Sequence, residues 1–139
     1  MSQLILDDHL SESKVLRPIQ QWGTAELLRQ LRPDEIVLDD RVPQILLTLK
    51  QPTFVTIDQG FWNRRWCHPK YCIPYFALRD DQQELLPGLL RALLRQPEFR
   101  SRSSRMGRVA RVSSASIESW SFQASRMEPI AWAKRPRKK

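Results

Sequence analysis

The chain lacks any long apolar run. A membrane span needs about 20 consecutive apolar residues, and no stretch approaches that. The N-terminus is not built as an export signal either. "MSQLILDDHL" carries an acid pair where a signal peptide would still be apolar, so the expectation is a cytoplasmic protein. Cysteine and histidine are scarce, with two of each. In the cytoplasm Cys67 and Cys72 stay reduced. "WCHPKYC" offers Cys67, His68 and Cys72, but a structural zinc site wants four ligands and His9 is the only other histidine. That stretch reads as a loop with a buried thiol. Acid is missing from a whole region: Arg100 to Arg111 holds five arginines and no carboxylate. No internal repeat is visible.

What is present is basic and globular. The 139 residues are 41% hydrophobic with a net charge of +8. That is one domain with a sizeable core, and a polyanion such as RNA is the natural partner. The last six residues, "KRPRKK", add five cationic groups to a tail expected to be flexible over 123–139, after a domain of 1–122.

Local patterns give an order of elements. "QLILDD" reads as a buried strand closing on two acids. "SESKVLRPIQQW" is helical, with Ser11 as cap and a break expected at Pro18. "TAELL" is a weak strand. "DDRVPQILLTLKQ" is a helix capped by Asp39 or Asp40, with Pro43 in its first turn and Ile45, Leu46 and Leu49 as its stripe. "TFVTID" is a third strand and "CIPYFAL" a fourth, whose Pro74 suggests an edge or an irregular start. "DDQQELLPGLLRALLRQ" is a leucine-striped helix that Pro87 restarts, and "RVARVSSASIESWSF" supplies one or two further strands. Strands alternating with helices predict an α/β fold with a mostly parallel sheet.

Ligands in such sheets sit outside the carboxyl ends of the strands. Asp7 and Asp8 end the first strand, and Asp58 ends the third. Asp40 opens the helix that feeds the third strand, so it belongs at that same edge. Carboxylates gathered this way repel each other and stay ionised together only beside a cation. Oxygen ligands alone suit Mg²⁺ or Mn²⁺, and such an ion activates water toward a phosphodiester. The plainer reading is that these acids are caps and turn residues.

Beyond Asp58, "FWNRRWCHPKY" interleaves Phe61, Trp62, Arg64, Arg65, Trp66, Lys70 and Tyr71. Bases of single-stranded RNA stack on aromatic faces while arginines hold phosphates. For Phe61 packing in the core is the favoured reading. Arg102, Arg105 and Arg108, with Arg100 and Arg111, fit sequence-blind backbone contacts; the plain reading is a solvated basic loop.

These residues resemble the PIN-like branch of the PIN-domain superfamily, bacterial proteins of toxin–antitoxin pairs. That branch opens with a strand ending in Asp-Glu-Asn-Leu-Pro; here "LDDHLS" aligns Asp7 and Asp8 with the acids, and His9 stands where Asn is usual. An acid at a helix start follows, matched by Asp40, then a strand ending in Thr-x-Asp-x-Asp-Phe, matched by "TIDQGF" with Asp58 and Phe61. The order and spacing of these motifs, from Leu4 to Phe122, carry the resemblance. It implies a three-layer α/β/α fold, a Mg²⁺- or Mn²⁺-dependent ribonuclease site on Asp7, Asp40 and Asp58 with Asp8 as helper, an antitoxin partner and, often in the family, a homodimer. One position departs from the pattern. Gly60 replaces the second acid of the strand-end motif, which predicts weaker metal binding and keeps a catalytically inactive RNA- or protein-binding module as the alternative.

Overall fold

The fold was determined as a computed structural model that describes residues 4–133. The terminal "KRPRKK", 134–139, lies outside the described residues. The elements are β1 (Leu4–Leu6), α1 (Arg17–Gln20), β2 (Ala25–Leu27), α2 (Leu28–Leu31), α3 (Val42–Leu46), β3 (Thr53–Val55), β4 (Ile73–Phe76), α4 (Leu86–Leu93), α5 (Arg102–Arg105), β5 (Arg108–Val112), β6 (Ile117–Ser121) and β7 (Glu128–Ile130). This is a mixed α/β domain. A parallel three-stranded sheet runs β2-β1-β3, and a mixed four-stranded sheet runs β4-β5-β6-β7. The weak strand at "TAELL" is real and pairs with β1, Leu4 opposite Ala25 and Leu6 opposite Leu27.

The two sheets meet along β3 and β4, and Pro74 explains why they are not one regular sheet. Cys72 N–H donates to Pro52, Phe54 N–H to Cys72, Thr56 N–H to Pro74 and Phe76 N–H to Thr56. The parallel ladder that these bonds trace calls for the N–H of residue 74 to reach the carbonyl of Phe54. Proline has no N–H, so the ladder survives only as isolated bridges at Thr53–Cys72 and Thr56–Tyr75. Pro74 therefore does not mark an outer edge. β4 lies inside, with β5 on its other side and Pro74 opposite Ala110.

Three other prolines, Pro18, Pro43 and Pro87, start helices. A wide turn over Glu12–Leu16, capped by the Ser11 hydroxyl, gives way to α1 with Pro18 in its first turn. Pro43 and Pro87 sit in the first turns of α3 and α4, each after a 3₁₀ turn, Asp39–Arg41 and Asp80–Leu85. At those positions the missing donor costs nothing.

The two-residue period of the strands sorts side chains onto two faces. Leu4, Leu6, Leu27 and Val55 pack with Val15, Leu16 and Ile19 around α1 and with Leu86, Leu89, Leu90 and Leu93 of α4. Ile5, Phe54, Ile73 and Val109 pack with Leu28 of α2, with Val42, Ile45 and Leu46 of α3, and with Phe61 and Tyr71. Burial of this kind yields about 25 cal/mol per Å² of apolar surface. The segment after 122 belongs to the fold in part. β7 adds to β6, Ile117 opposite Ile130, and Ile130 is buried in the first core. The described residues contain no helix long and apolar enough to cross a membrane.

Candidate functional site

Asp7 follows the last residue of β1, and its N–H continues the ladder to the carbonyl of Val55. Alternation turns its side chain to the face of Ile5 and Phe54. There it is 7% exposed and accepts a 2.7 Å hydrogen bond from the Thr56 hydroxyl. Burial raises the Asp7 carboxyl above its ordinary range; the Thr56 bond and the charge of His9 oppose that shift, and the charge of Asp58 adds to it.

Thr56 also accepts from the N–H of Asp58 at 2.9 Å, so one hydroxyl ties the two acids together. Asp58 caps the 3₁₀ turn Gln59–Phe61, its Oδ1 accepting from Gly60 N–H at 2.9 Å. A Cβ at Gly60 would lie 3.2 Å from that oxygen. The bare glycine lets the turn close on the carboxylate.

The third acid is Asp39, in the position expected for Asp40. The two are adjacent on the 3₁₀ turn that opens α3. The Asp39 carboxyl comes within hydrogen-bonding reach of Asp58 and feels the charge of Asp7, although the residue as a whole remains exposed. Desolvation first, and then the Asp58 charge, hold it above its ordinary value, while His9 pulls it down. Asp40 is exposed on the same turn. Asp8 faces elsewhere: its Oδ1 accepts from Arg29 N–H at 2.7 Å, while Arg29 Nη1 donates to its carbonyl. Asp8 thus serves the start of α2, a capping role.

The acid edge therefore holds Asp7, Asp39 and Asp58, with His9 beside them. Among the described residues no group of three or more His, Cys, Asp or Glu side chains is placed to hold a metal ion together. The donor set suits a hydrated Mg²⁺ or Mn²⁺, which takes one or two carboxylates and keeps several waters. Asp39 and Asp58 in contact supply that pair.

One supporting residue carried no sequence signal of its own: Gln83, buried in the 3₁₀ turn before α4. Its amide accepts from Ser11 N–H at 2.7 Å and donates to the carbonyl of His9 at 3.2 Å and to Asp80 at 2.8 Å. It pins the loop after β1. A glutamine in a leucine-striped helix reads as a solvent residue, and only its long-range partners show otherwise.

The aromatic and basic loop crosses the face that carries α3. Phe61 is fully buried, 5.2 Å from Phe54 and 5.4 Å from Trp66, which is the core role favoured for it. Trp66 Nε1 donates to Gly60 at 2.9 Å and so fastens the loop beside Asp58. Arg65 is exposed with its guanidinium 4.7 Å over the Trp66 ring. Trp62 is half-buried, 6.2 Å from Trp120. Arg64 is exposed and donates to the carbonyl of Ala124 at 3.2 Å. Lys70 is exposed beyond the stacked pair His68–Tyr71, at 5.3 Å. Cys67 and Cys72 are free thiols; burial pushes Cys72 up to about 12.

The arginine run is not one basic loop. Arg105 is 1% exposed, with Nε donating to Thr53 Oγ1 at 2.8 Å and Nη1 to the carbonyl of Phe99 at 3.0 Å, while Nη2 is buried without a partner. The expected nucleic-acid contact at Arg105 is therefore corrected: a core residue has no phosphate in reach. Arg108 is tied up by Ser119 and Glu128 at 3.1 and 3.3 Å, and Arg111 by Glu118 at 3.3 Å. Arg102, half-buried in α5, precedes β5. Because β5 runs parallel to β4, its leading residues lie at the amino edge of the strands, opposite the acids.

Compared with protein-family models, with curated proteins and with solved structures, the chain matches none.

Proposed function

We propose that this chain is a metal-dependent ribonuclease of PIN-like type, a three-layer α/β/α domain acting on single-stranded RNA. The observation that carries the reading is that Thr56 ties Asp7 and Asp58 together at the carboxyl edge of a parallel sheet, with Asp39 close enough to feel both. Two helix-bearing cores on opposite sheet faces support the layering. The motif order that resembles the PIN-like branch supports the reaction class, and it alone suggests the role of toxin with an antitoxin partner and a homodimeric state.

In this reading Asp39 and Asp58 would hold a hydrated Mg²⁺ or Mn²⁺ with Asp7 beside them, and the ion would supply an activated water and charge stabilisation at the phosphodiester. The protein's part is positioning. Thr56 fixes Asp7 and the backbone of Asp58 through one hydroxyl. Gly60 N–H fixes the Asp58 carboxylate. Trp66 anchors the loop beside Asp58 with the exposed Arg65 over its ring, where that guanidinium would hold a phosphate, and Trp62 offers a ring edge to a base.

Purified protein with Mn²⁺ is expected to cleave single-stranded RNA, and Asp58→Asn to abolish the cleavage. Cleavage that survives both Asp58→Asn and Asp39→Asn overturns the mechanism.

Gly60 favours a second reading, a non-catalytic module that binds RNA or protein through its basic surface. A ligand of the folded state raises the melting temperature. Millimolar Mn²⁺ that leaves it unmoved selects this second reading.

A further inference from the structure

A cleft of about 340 Å³ opens at the amino edge of the strands, at the opposite end of β1 from Asp7. Leu4, Trp22 and Leu94 form its apolar side; Thr24, Arg91 and Arg95 supply its polar rim. The volume falls at the small end of ligand sites, which span roughly 300–1,000 Å³.

The two arginines are the unusual part. Arg91 lies in the last turn of α4 and Arg95 in the turn that follows it, and both line the cleft. Among the described residues neither has a carboxylate within ion-pair distance, whereas Arg108 and Arg111 each do. The Arg91 guanidinium lies 5.6 Å over the Trp22 ring, an arrangement that orients it and leaves its donors unpaired. Two forked donors side by side suit a phosphate held bidentately. An indole and two leucines beside them suit a flat ring.

We propose that this cleft binds a nucleoside phosphate, its phosphate between Arg91 and Arg95 and its base against Trp22 and Leu94. A free mononucleotide and the 5′-phosphorylated end of an RNA strand share that chemistry. The site is separate from the acid edge and does not depend on cleavage there.

The test is calorimetric titration of the full chain with AMP, adenosine, inorganic phosphate and a 5′-phosphorylated tetranucleotide. AMP is expected to saturate the protein and to bind about ten-fold or more tighter than adenosine or phosphate alone. Arg91→Gln with Arg95→Gln, both exposed positions that leave the core untouched, should weaken AMP by about ten-fold or more. Asp58→Asn should leave AMP binding unchanged. Tighter binding of the tetranucleotide identifies a strand end as the ligand; equal or weaker binding identifies the free nucleotide. Adenosine binding as tightly as AMP, the absence of saturation by AMP, or AMP binding unchanged in the double variant overturns the proposal.

Discussion

The carboxyl of Asp39 stands within hydrogen-bonding reach of the carboxyl of Asp58, although 18 residues and a whole helix separate them along the chain. Adjacent Asp40 shares the 3₁₀ turn and is exposed. If the pair holds the ion, Asp39→Asn should lower Mn²⁺-dependent cleavage by about 100-fold, on the scale of disturbed metal sites. Asp40→Asn should leave it within a few-fold. RNA cleavage rates of the two variants, measured side by side, check this; equal losses would remove the special role of Asp39.

The same crowding sets a pH dependence. Asp7 and Asp39 both titrate above their ordinary value of 3.8 in the folded protein. A raised carboxyl means that the folded state holds its proton more tightly than the unfolded state does. The stabilisation is fully present in acid and is lost as pH rises from the unfolded value through the folded one. For these two groups, then, metal-free protein is expected to lose stability as pH climbs from about 4 toward neutrality. Asp39→Asn should flatten that slope, and Mn²⁺ at neutral pH should recover stability. Urea midpoints at a series of pH values measure it.

Thr56 serves both acids with one hydroxyl. Thr56→Val keeps the shape and removes the donor to Asp7 and the acceptor for Asp58 N–H. Buried groups left without partners cost about 1–3 kcal/mol. The variant should unfold at lower urea by that amount and lose most Mn²⁺-dependent cleavage. Full activity in a folded Thr56→Val protein would show that the acids need no such bracing.

Arg105→Lys tests the core role of the arginine that sequence alone assigns to RNA. Lysine keeps the charge but cannot serve Thr53 and Phe99 from one fixed fork. A loss of about 1–3 kcal/mol is expected, with RNA affinity unchanged in the folded variant. Arg65→Ala should show the reverse pattern.

Much of the element order is legible because apolar periodicity and proline position act locally. The helix starts at Pro43 and Pro87 and the strand at "TAELL" follow from such signals, whereas Asp39–Arg41 and Asp80–Leu85, which read as the first turns of those helices, are 3₁₀ turns. The acids at the ends of β1 and β3 are legible for the same reason, since a strand that leaves the core must end on something polar. The choice between Asp39 and Asp40 is not, because it depends on which side of a single turn faces β3. Arg105 is hidden more deeply. Its neighbours Arg100, Arg102 and Arg108 share its composition, and burial is decided by Thr53, more than fifty residues away in sequence. Gln83 is hidden likewise, its partners lying at residues 9 and 11.

The proline between Ile73 and Tyr75 leaves a mark on how the molecule comes apart. Across most of a sheet, strands are zipped by amide bonds, but here one stitch is dropped in the middle, between Phe54 and residue 74. Side chains such as Val55, Phe76 and Ala110, sharing one core, bridge the gap from above. Deuterium should therefore enter the amides flanking this line sooner than those joining β1 to β3, and a mechanical pull should split the protein there into a three-stranded and a four-stranded half.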